Sequence, residues 1–166
     1  MQFFLGFIVL IGCSYLGFGL GNYYVRRHKF IVDLITFANH LKVEISFSKN
    51  NLSHIIENHI EDSDANFKSV LKGYLEALKT SDYITVEVLN KNINTIYLEE
   101  NEKEQMLQFF NFLGKSDADN QVEIINKSLN IFNNFLKNST VEKQKYSGMF
   151  KKLGVLIGIF VLIIIV

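Results

Sequence analysis

The two ends of the chain are continuous apolar runs, and the long segment between them repeats apolar residues at helical spacing. Residues 1–25 carry no charge and would form a helix of about 37 Å, longer than a hydrocarbon core of about 30 Å. The second run, 153–166, reaches about 30 Å if its helix begins at Tyr146 and the Lys151 and Lys152 side chains extend to the headgroups. We predict transmembrane helices at 1–25 and 146–166.

Two apolar stripes lie next to these runs. The first follows the N-terminal run and consists of Phe30, Leu34, Phe37, Leu41 and Ile45. The second precedes the C-terminal run and consists of Val122, Ile125, Leu129, Phe132 and Leu136. Because no helix breaker interrupts either region, we expect one N-terminal helix of about 45 residues and a C-terminal helix that continues into the membrane. The two stripes are then natural packing partners.

Polar residues end the first long helix at a turn over 48–51. Ser53 and Asp64 are residue types that cap helix N-termini, because their side-chain oxygens accept hydrogen bonds from free backbone N–H groups. We therefore expect two short helices, which end at His59 and Leu78.

After a predicted loop at 80–82, the pattern is ambiguous. Thr85 could cap a helix that runs to about Leu98, yet the β-branched residues at 86–88 and 93–97 are also typical of strands. These residues do not alternate cleanly and no glycine-containing hairpin turn lies nearby. The segment is therefore predicted to be helical.

The last two helices have the clearest boundary signals. Glutamates at 99–104 favour a helix N-terminus, and Gly114 supplies its C-terminal stop. Ser116 stands three residues before Asp119, as in a capping box that begins the final long helix. The predicted fold class is all-α: a helical bundle domain at 26–145 inserted between transmembrane helices, with long helices that continue from the membrane into the cytoplasm.

Charge is confined to the middle of the chain and indicates an orientation. All 17 basic and 17 acidic residues lie between Arg26 and Lys152, and basic residues flank both apolar runs on the side of the middle segment. Cytoplasmic loops carry such an excess of lysine and arginine. We expect a cell-membrane protein with its helical domain in the cytoplasm and both termini outside.

Candidate chemistry is sparse. Cys13 is the single cysteine, which excludes an internal disulfide and a cysteine-based zinc site. His54 and His59 are five residues apart and do not share a helical face, and His40 has only Glu44 as a nearby carboxylate. No phosphate-binding loop or nucleophile motif occurs, and the acidic middle segment disfavours nucleic acid as a partner. We expect neither an enzyme nor a cofactor or metal site.

The sequence Leu-Ile-Gly-Cys at 10–13 is similar to a bacterial lipobox, in which Cys13 would be lipidated after cleavage. No Lys or Arg precedes this segment, and apolar residues continue for twelve positions beyond the cysteine. Lipidation therefore remains the less favoured alternative.

Each apolar run contains a Gly-x-x-x-Gly spacing, formed by Gly17 and Gly21 in the first and by Gly154 and Gly158 in the second. Such glycines let helix backbones approach closely in lipid. They predict helix packing, either between the two spans of one chain or between chains of a homo-oligomer.

The sequence Leu-Gly-Lys-Ser-Asp-Ala-Asp-Asn-Gln at 113–121, followed by a long helix and by Leu-Gly-Val-Leu at 153–156, resembles the stage III sporulation protein AB family. That family has a similar Leu-Gly-x-Ser-Asp-x-x-x-Gln run at the same distance from its terminal span. The N-terminal half agrees in layout, with an Arg-Arg pair at 26–27. The chain lacks the proline often found in the family near Leu52.

The resemblance implies a component of the channel complex between mother cell and forespore, similar to the cytoplasmic domain of the platform protein of type II secretion and type IV pilus systems. Its expected partner is the family's cytoplasmic secretion-type ATPase, and its role would be a non-enzymatic scaffold. The candidate partner-binding residues are Gly114, Ser116, Asp117 and Gln121, although this turn could simply join two helices. The alternative function is a lipoprotein or two-span protein with an extracytoplasmic helical binding domain.

Overall fold

The computed structural model describes residues 2–47, 51–61, 63–80 and 97–165. Every regular element within these ranges is a helix, and none is a strand. The fold is therefore all-α over the described residues, with a long apolar helix at each end of the chain.

Helix α1, Gln2–Phe47, is continuous over 46 residues, as predicted from the lack of a helix breaker. Its polar side chains bond within the helix: Ser14 Oγ donates to the carbonyl of Leu10 at 2.8 Å, and Thr36 Oγ1 to that of Val32 at 2.9 Å. Such bonds satisfy polar groups without breaking the helical hydrogen-bond ladder.

Two shorter helices follow, α2 at Leu52–Ile60 and α3 at Ala65–Thr80. The prediction that Ser53 caps α2 is wrong, because the N-cap is Asn51, whose side chain accepts from the Ser53 backbone N–H. Asp64 does precede α3, and its carboxylate accepts hydrogen bonds from Lys29 and from the first backbone N–H groups of the helix. These hydrogen bonds lower the pKa of Asp64.

Helix α4, Glu100–Phe112, begins at a capping box. Glu99 is the N-cap, and its backbone N–H donates to the Glu102 carboxylate at 3.0 Å, which accounts for the burial of that charged side chain. The predicted helix from Thr85 lies outside the described residues except at its end. Of that predicted segment, only Tyr97 and Leu98 are described, and neither is helical.

The C-terminal helix continues into the apolar run as predicted, with one local change of winding. Helix α5, Ala118–Glu142, passes into a π-helical turn at Lys143–Ser147 and then into helix α6, Gly148–Ile165. A π turn holds one more residue than an α turn, and nothing in the local sequence indicated it.

The chain divides into two compact units. The terminal unit comprises Met1–His28 and Lys137–Val166, and the central unit comprises Lys29–Leu136. In the central unit, helices α2, α3 and α4 lie with the last part of α1 and the first part of α5.

The core of the central unit is built from aromatic and branched side chains. Both predicted stripes contribute to it, and they connect through α4: Phe37 stacks on Phe110 at 6.0 Å, and Phe132 meets Phe109 edge-on at 5.4 Å. The hydroxyl of buried Tyr74 donates to the Phe110 carbonyl at 3.1 Å, so its polar end is satisfied inside this core.

Two helical stretches are long and apolar enough to cross a membrane, Gly6–Phe47 and Ala118–Ile165. Their length and composition are consistent with membrane association.

Candidate functional site

In the terminal unit, the predicted glycine motifs of the two apolar helices meet one another. A Cβ atom placed on Gly17 would lie 2.7 Å from Gly154 Cα and 2.7 Å from the carbonyl oxygen of Phe150. A Cβ atom on Gly154 would lie 2.8 Å from the carbonyl oxygen of Cys13. These contacts are with backbone, which cannot move aside, so only glycine fits at this crossing.

The other two predicted glycines extend the contact in both directions. A Cβ atom on Gly21 would lie 2.7 Å from the carbonyl oxygen of Ser147, and one on Gly158 would lie 3.1 Å from Leu10 Cα. The four glycines therefore form one intrachain contact, which we call the glycine seam: Gly17, Gly21, Gly154 and Gly158.

A partly buried polar cluster lies further along the same two helices. Arg27, only 3% exposed, forms an ion pair with Glu142, and His28 Nδ1 lies 3.3 Å from Ser139 Oγ and 3.5 Å from Thr140 Oγ1. Burial, together with the charge of the nearby Lys143, lowers the pKa of His28.

The sequence alone does not indicate this cluster, because Arg27 is one of several basic residues that flank the first span. One signal was available. Glu142 is the single acidic residue among the basic residues that precede the second span. A lone carboxylate in that position needs a cationic partner if it is to lie near a membrane.

The predicted partner-binding residues form a compact turn between α4 and α5. Gly114 adopts φ +78°, a conformation that ends α4 and favours glycine. The Gln121 side chain closes the turn, since its Nε2 donates to the Ser116 carbonyl at 2.7 Å and its Oε1 accepts from the Gly114 backbone N–H at 3.3 Å.

The predicted capping box at Ser116 is wrong. Asp117 caps α5 instead, because its Oδ1 accepts from the backbone N–H of Asn120 at 2.9 Å. Hydrogen bonds from Asn120 lower the pKa of the Asp117 carboxyl. Ser116 Oγ is buried and has no hydrogen-bond partner among the described residues. The motif therefore specifies the shape of the turn through Asp117 and Gln121.

Beside this turn, α4 and α5 border an open groove of about 200 Å³. Its apolar wall includes Phe112 and Ile131, of which Phe112 is 53% exposed, and Lys127 and Gln108 provide polar groups. Sequence analysis placed no site here, because an exposed aromatic residue at the end of an amphipathic helix does not stand out from the core pattern.

Two of the histidines, His40 and His59, pack against other rings. His40 and His59 stack at 5.4 Å beside Phe37, and His40 Nε2 lies 4.0 Å from the Glu44 carboxylate. Within the described parts of the chain, no three His, Cys, Asp or Glu side chains are arranged to hold a metal ion.

Comparison with known families identifies the family of the chain. The family described as Stage III sporulation protein AB matches residues 2–166. The chain belongs to this family. The match covers both the glycine seam and the turn at 114–121, so the stage III sporulation protein AB assignment extends over both units. Comparison with curated proteins and with solved structures gives no match.

Proposed function

We propose that this member of the stage III sporulation protein AB family is a non-enzymatic membrane scaffold of a channel complex between mother cell and forespore, and that its central unit docks a cytoplasmic secretion-type ATPase. The observation that carries the proposal is the path of the two long helices. Each contributes to the glycine seam at one end and to the aromatic core at the other. The same two helices thus supply both the apolar spans and part of the folded helical unit that a membrane scaffold requires.

The turn at 114–121 and the adjacent groove are the proposed docking surface. Its outer face carries the exposed residues Phe112, Lys115 and Asp119, whereas Gln121 is occupied in closing the turn. A rigid turn beside an exposed aromatic residue favours protein binding, because little conformational freedom is lost on association.

The proposed orientation places the central unit in the cytoplasm and both termini outside. It is supported by the basic residues that follow the first apolar run and precede the second. Arg27 is not available as a surface charge, because it is buried against Glu142. The remaining flanking charges, including Arg26, Lys145 and Lys152, still give the same bias.

The orientation is tested by labelling the full chain in cells. Exposed Asp119 is replaced by cysteine in a Cys13→Ser background and treated with a membrane-impermeant maleimide. Labelling is expected only after the cells are permeabilised, whereas a cysteine added before Met1 should react from outside. Reaction of Asp119→Cys in intact cells would instead support the extracytoplasmic alternative.

Docking is tested by copurification of the full chain with the ATPase. Phe112→Ser is expected to weaken binding about tenfold or more, as for an exposed aromatic anchor at an interface. Phe47→Ser is the matched control, since Phe47 is 87% exposed at the end of α1 and does not line the groove. Equal binding by both variants would exclude this surface as the docking site.

A further inference from the structure

A second groove, of about 490 Å³, lies in the terminal unit on the surface of the apolar helices. Phe18 of α1 forms one wall, and Lys151, Lys152, Val155 and Leu156 of α6 form the other. Phe18 is 48% exposed and Leu156 is 60% exposed. The groove is therefore basic at Lys151 and Lys152 and apolar about one helical turn further along α6, at Val155 and Leu156.

The stem of Lys151 is held in place by the glycine seam. A Cβ atom on Gly21 would lie 2.8 Å from Lys151 Cγ, so the missing side chain at Gly21 makes room for the lysine stem. The Lys151 ammonium group lies 5.9 Å from the centre of the Phe18 ring, in cation–π range. This position directs one positive charge over the apolar wall of the groove.

Neither lysine of the groove forms an ion pair with a described carboxylate. Among the residues that the structure describes, no carboxylate lies within 4.0 Å of either ammonium group. Two such charges at the end of a membrane helix are stabilised by anionic groups at the headgroup level. The apolar wall below them suits an acyl chain, which has no hydrogen-bonding requirement.

We propose that this groove is a binding site for one anionic phospholipid, with its phosphate at Lys151 and Lys152 and an acyl chain along Phe18, Val155 and Leu156. The site rests on the membrane placement given under the proposed function, and it adds a ligand that the scaffold role does not require. Charge complementarity selects the lipid class, because a zwitterionic headgroup brings its own cation toward the two lysines.

The chain provides a matched basic pair for the control. Lys143 and Lys145 lie on the π-helical turn, carry the same charge and are also next to the apolar run, but they do not line the groove. Lys145 instead lies over the ring of Tyr146 at 5.0 Å. A general attraction to an anionic membrane would depend on both pairs, whereas the proposed site depends only on Lys151 and Lys152.

The test uses the full chain in detergent micelles, with bound lipid counted by native mass spectrometry during titration with phosphatidylglycerol or phosphatidylcholine. Phosphatidylglycerol is expected to be retained about tenfold more strongly. The double variant Lys151→Gln, Lys152→Gln should lose most of this preference, and Lys143→Gln, Lys145→Gln should keep it within about twofold. The double variant Lys151→Arg, Lys152→Arg should bind phosphatidylglycerol as the native chain does, because it keeps both positive charges.

Equal losses in the two glutamine pairs would overturn the site and leave only non-specific attraction. Equal retention of both lipids by the native chain would also overturn it. The ATPase is not part of this measurement, so a chain that docks the ATPase but shows no lipid preference would lose this proposal alone. Labelling of Asp119→Cys in intact cells would overturn the orientation, while the lipid titration still reports on the groove.

Discussion

The terminal and central units bury opposite kinds of residue. The core of the central unit contains large side chains such as Phe37, Phe67 and Phe110, which are 0% exposed. Among the described residues of the terminal unit, the buried ones are five glycines and two polar residues: Gly6, Gly17, Gly21, Gly154, Gly158, Arg27 and Ser139. Large apolar side chains of this unit, such as Phe4 at 72% and Leu16 at 67%, are exposed instead.

This difference indicates which solvent, water or lipid, each unit is suited to. In water, burial of a Phe or Leu side chain stabilises a fold by about 1.5–3 kcal/mol, so the largest apolar groups go inside. Between helices in lipid that gain is lost, and close contact of backbones at small residues takes its place. The terminal unit has the second pattern, which is consistent with membrane association.

Among the substitutions that test this comparison, the largest loss of stability is expected in the core of the central unit. Phe110→Ala removes a ring that packs against Phe37, Phe109 and Tyr74, and it should lower the free energy of unfolding of the central unit by about 3–5 kcal/mol. The measurement is denaturant unfolding of the full chain in detergent, followed by limited proteolysis within the central unit. Phe47→Ala should change this value by less than about 0.5 kcal/mol, because Phe47 is exposed.

A smaller effect is expected at the glycine seam. Gly17→Ala adds a methyl group 2.7 Å from backbone atoms and should destabilise the contact between the two apolar helices by about 1–3 kcal/mol. The reporter is disulfide formation between Gly6→Cys and Leu162→Cys in a Cys13→Ser background, since a Cβ atom on Gly6 lies 3.7 Å from Leu162 Cα.

The control for the seam is Gly19→Ala. A Cβ atom on Gly19 meets nothing within 4 Å, so this variant should form the disulfide as well as the parent does. If Gly17→Ala also formed it at the same rate, the close backbone contact would not be what holds these helices together. The comparison between the two units would then fail on the terminal side.

The smallest expected effect is a pH dependence at His28. Its pKa is lowered in the folded chain, so the unfolded chain binds the proton more tightly. The resulting contribution to stability is complete above the unfolded pKa of about 6.5 and is lost as the pH falls through that value toward the folded one. The apparent melting temperature of the full chain should therefore fall more between pH 7.5 and pH 5.5 than that of His28→Gln. An identical pH response in the two chains would contradict this assignment.

Sequence reasoning predicted the elements whose signals are local. The continuity of α1 followed from the absence of a breaker, and the stop of α4 followed from Gly114, which adopts φ +78°. The caps at Ser53 and Ser116 were misplaced by one or two residues, because Asn51 and Asp117 are equally good capping types and only the structure decides between neighbours.

Contacts between distant residues were not predictable in the same way. The ion pair of Arg27 and Glu142 joins residues 115 positions apart, and no local pattern specifies such a pairing. The glycine motifs did predict close helix packing, but the spacing of glycines is the same whether the partner is in the same chain or another. Only the crossing of Gly17 and Gly154 shows the contact within one chain.

The π-helical turn has a consequence for rotational phase along the C-terminal helix. Glu142 and Gly154 both face α1, yet twelve residues of regular α-helix would place them about 120° apart around the axis. One extra residue accommodated in the wide turn at Lys143–Ser147 reduces that angle to about 20°. The turn thus acts as a phase correction that lets a charged contact and a glycine contact share one helix face, and deletion of a single residue there would rotate one of them away from its partner.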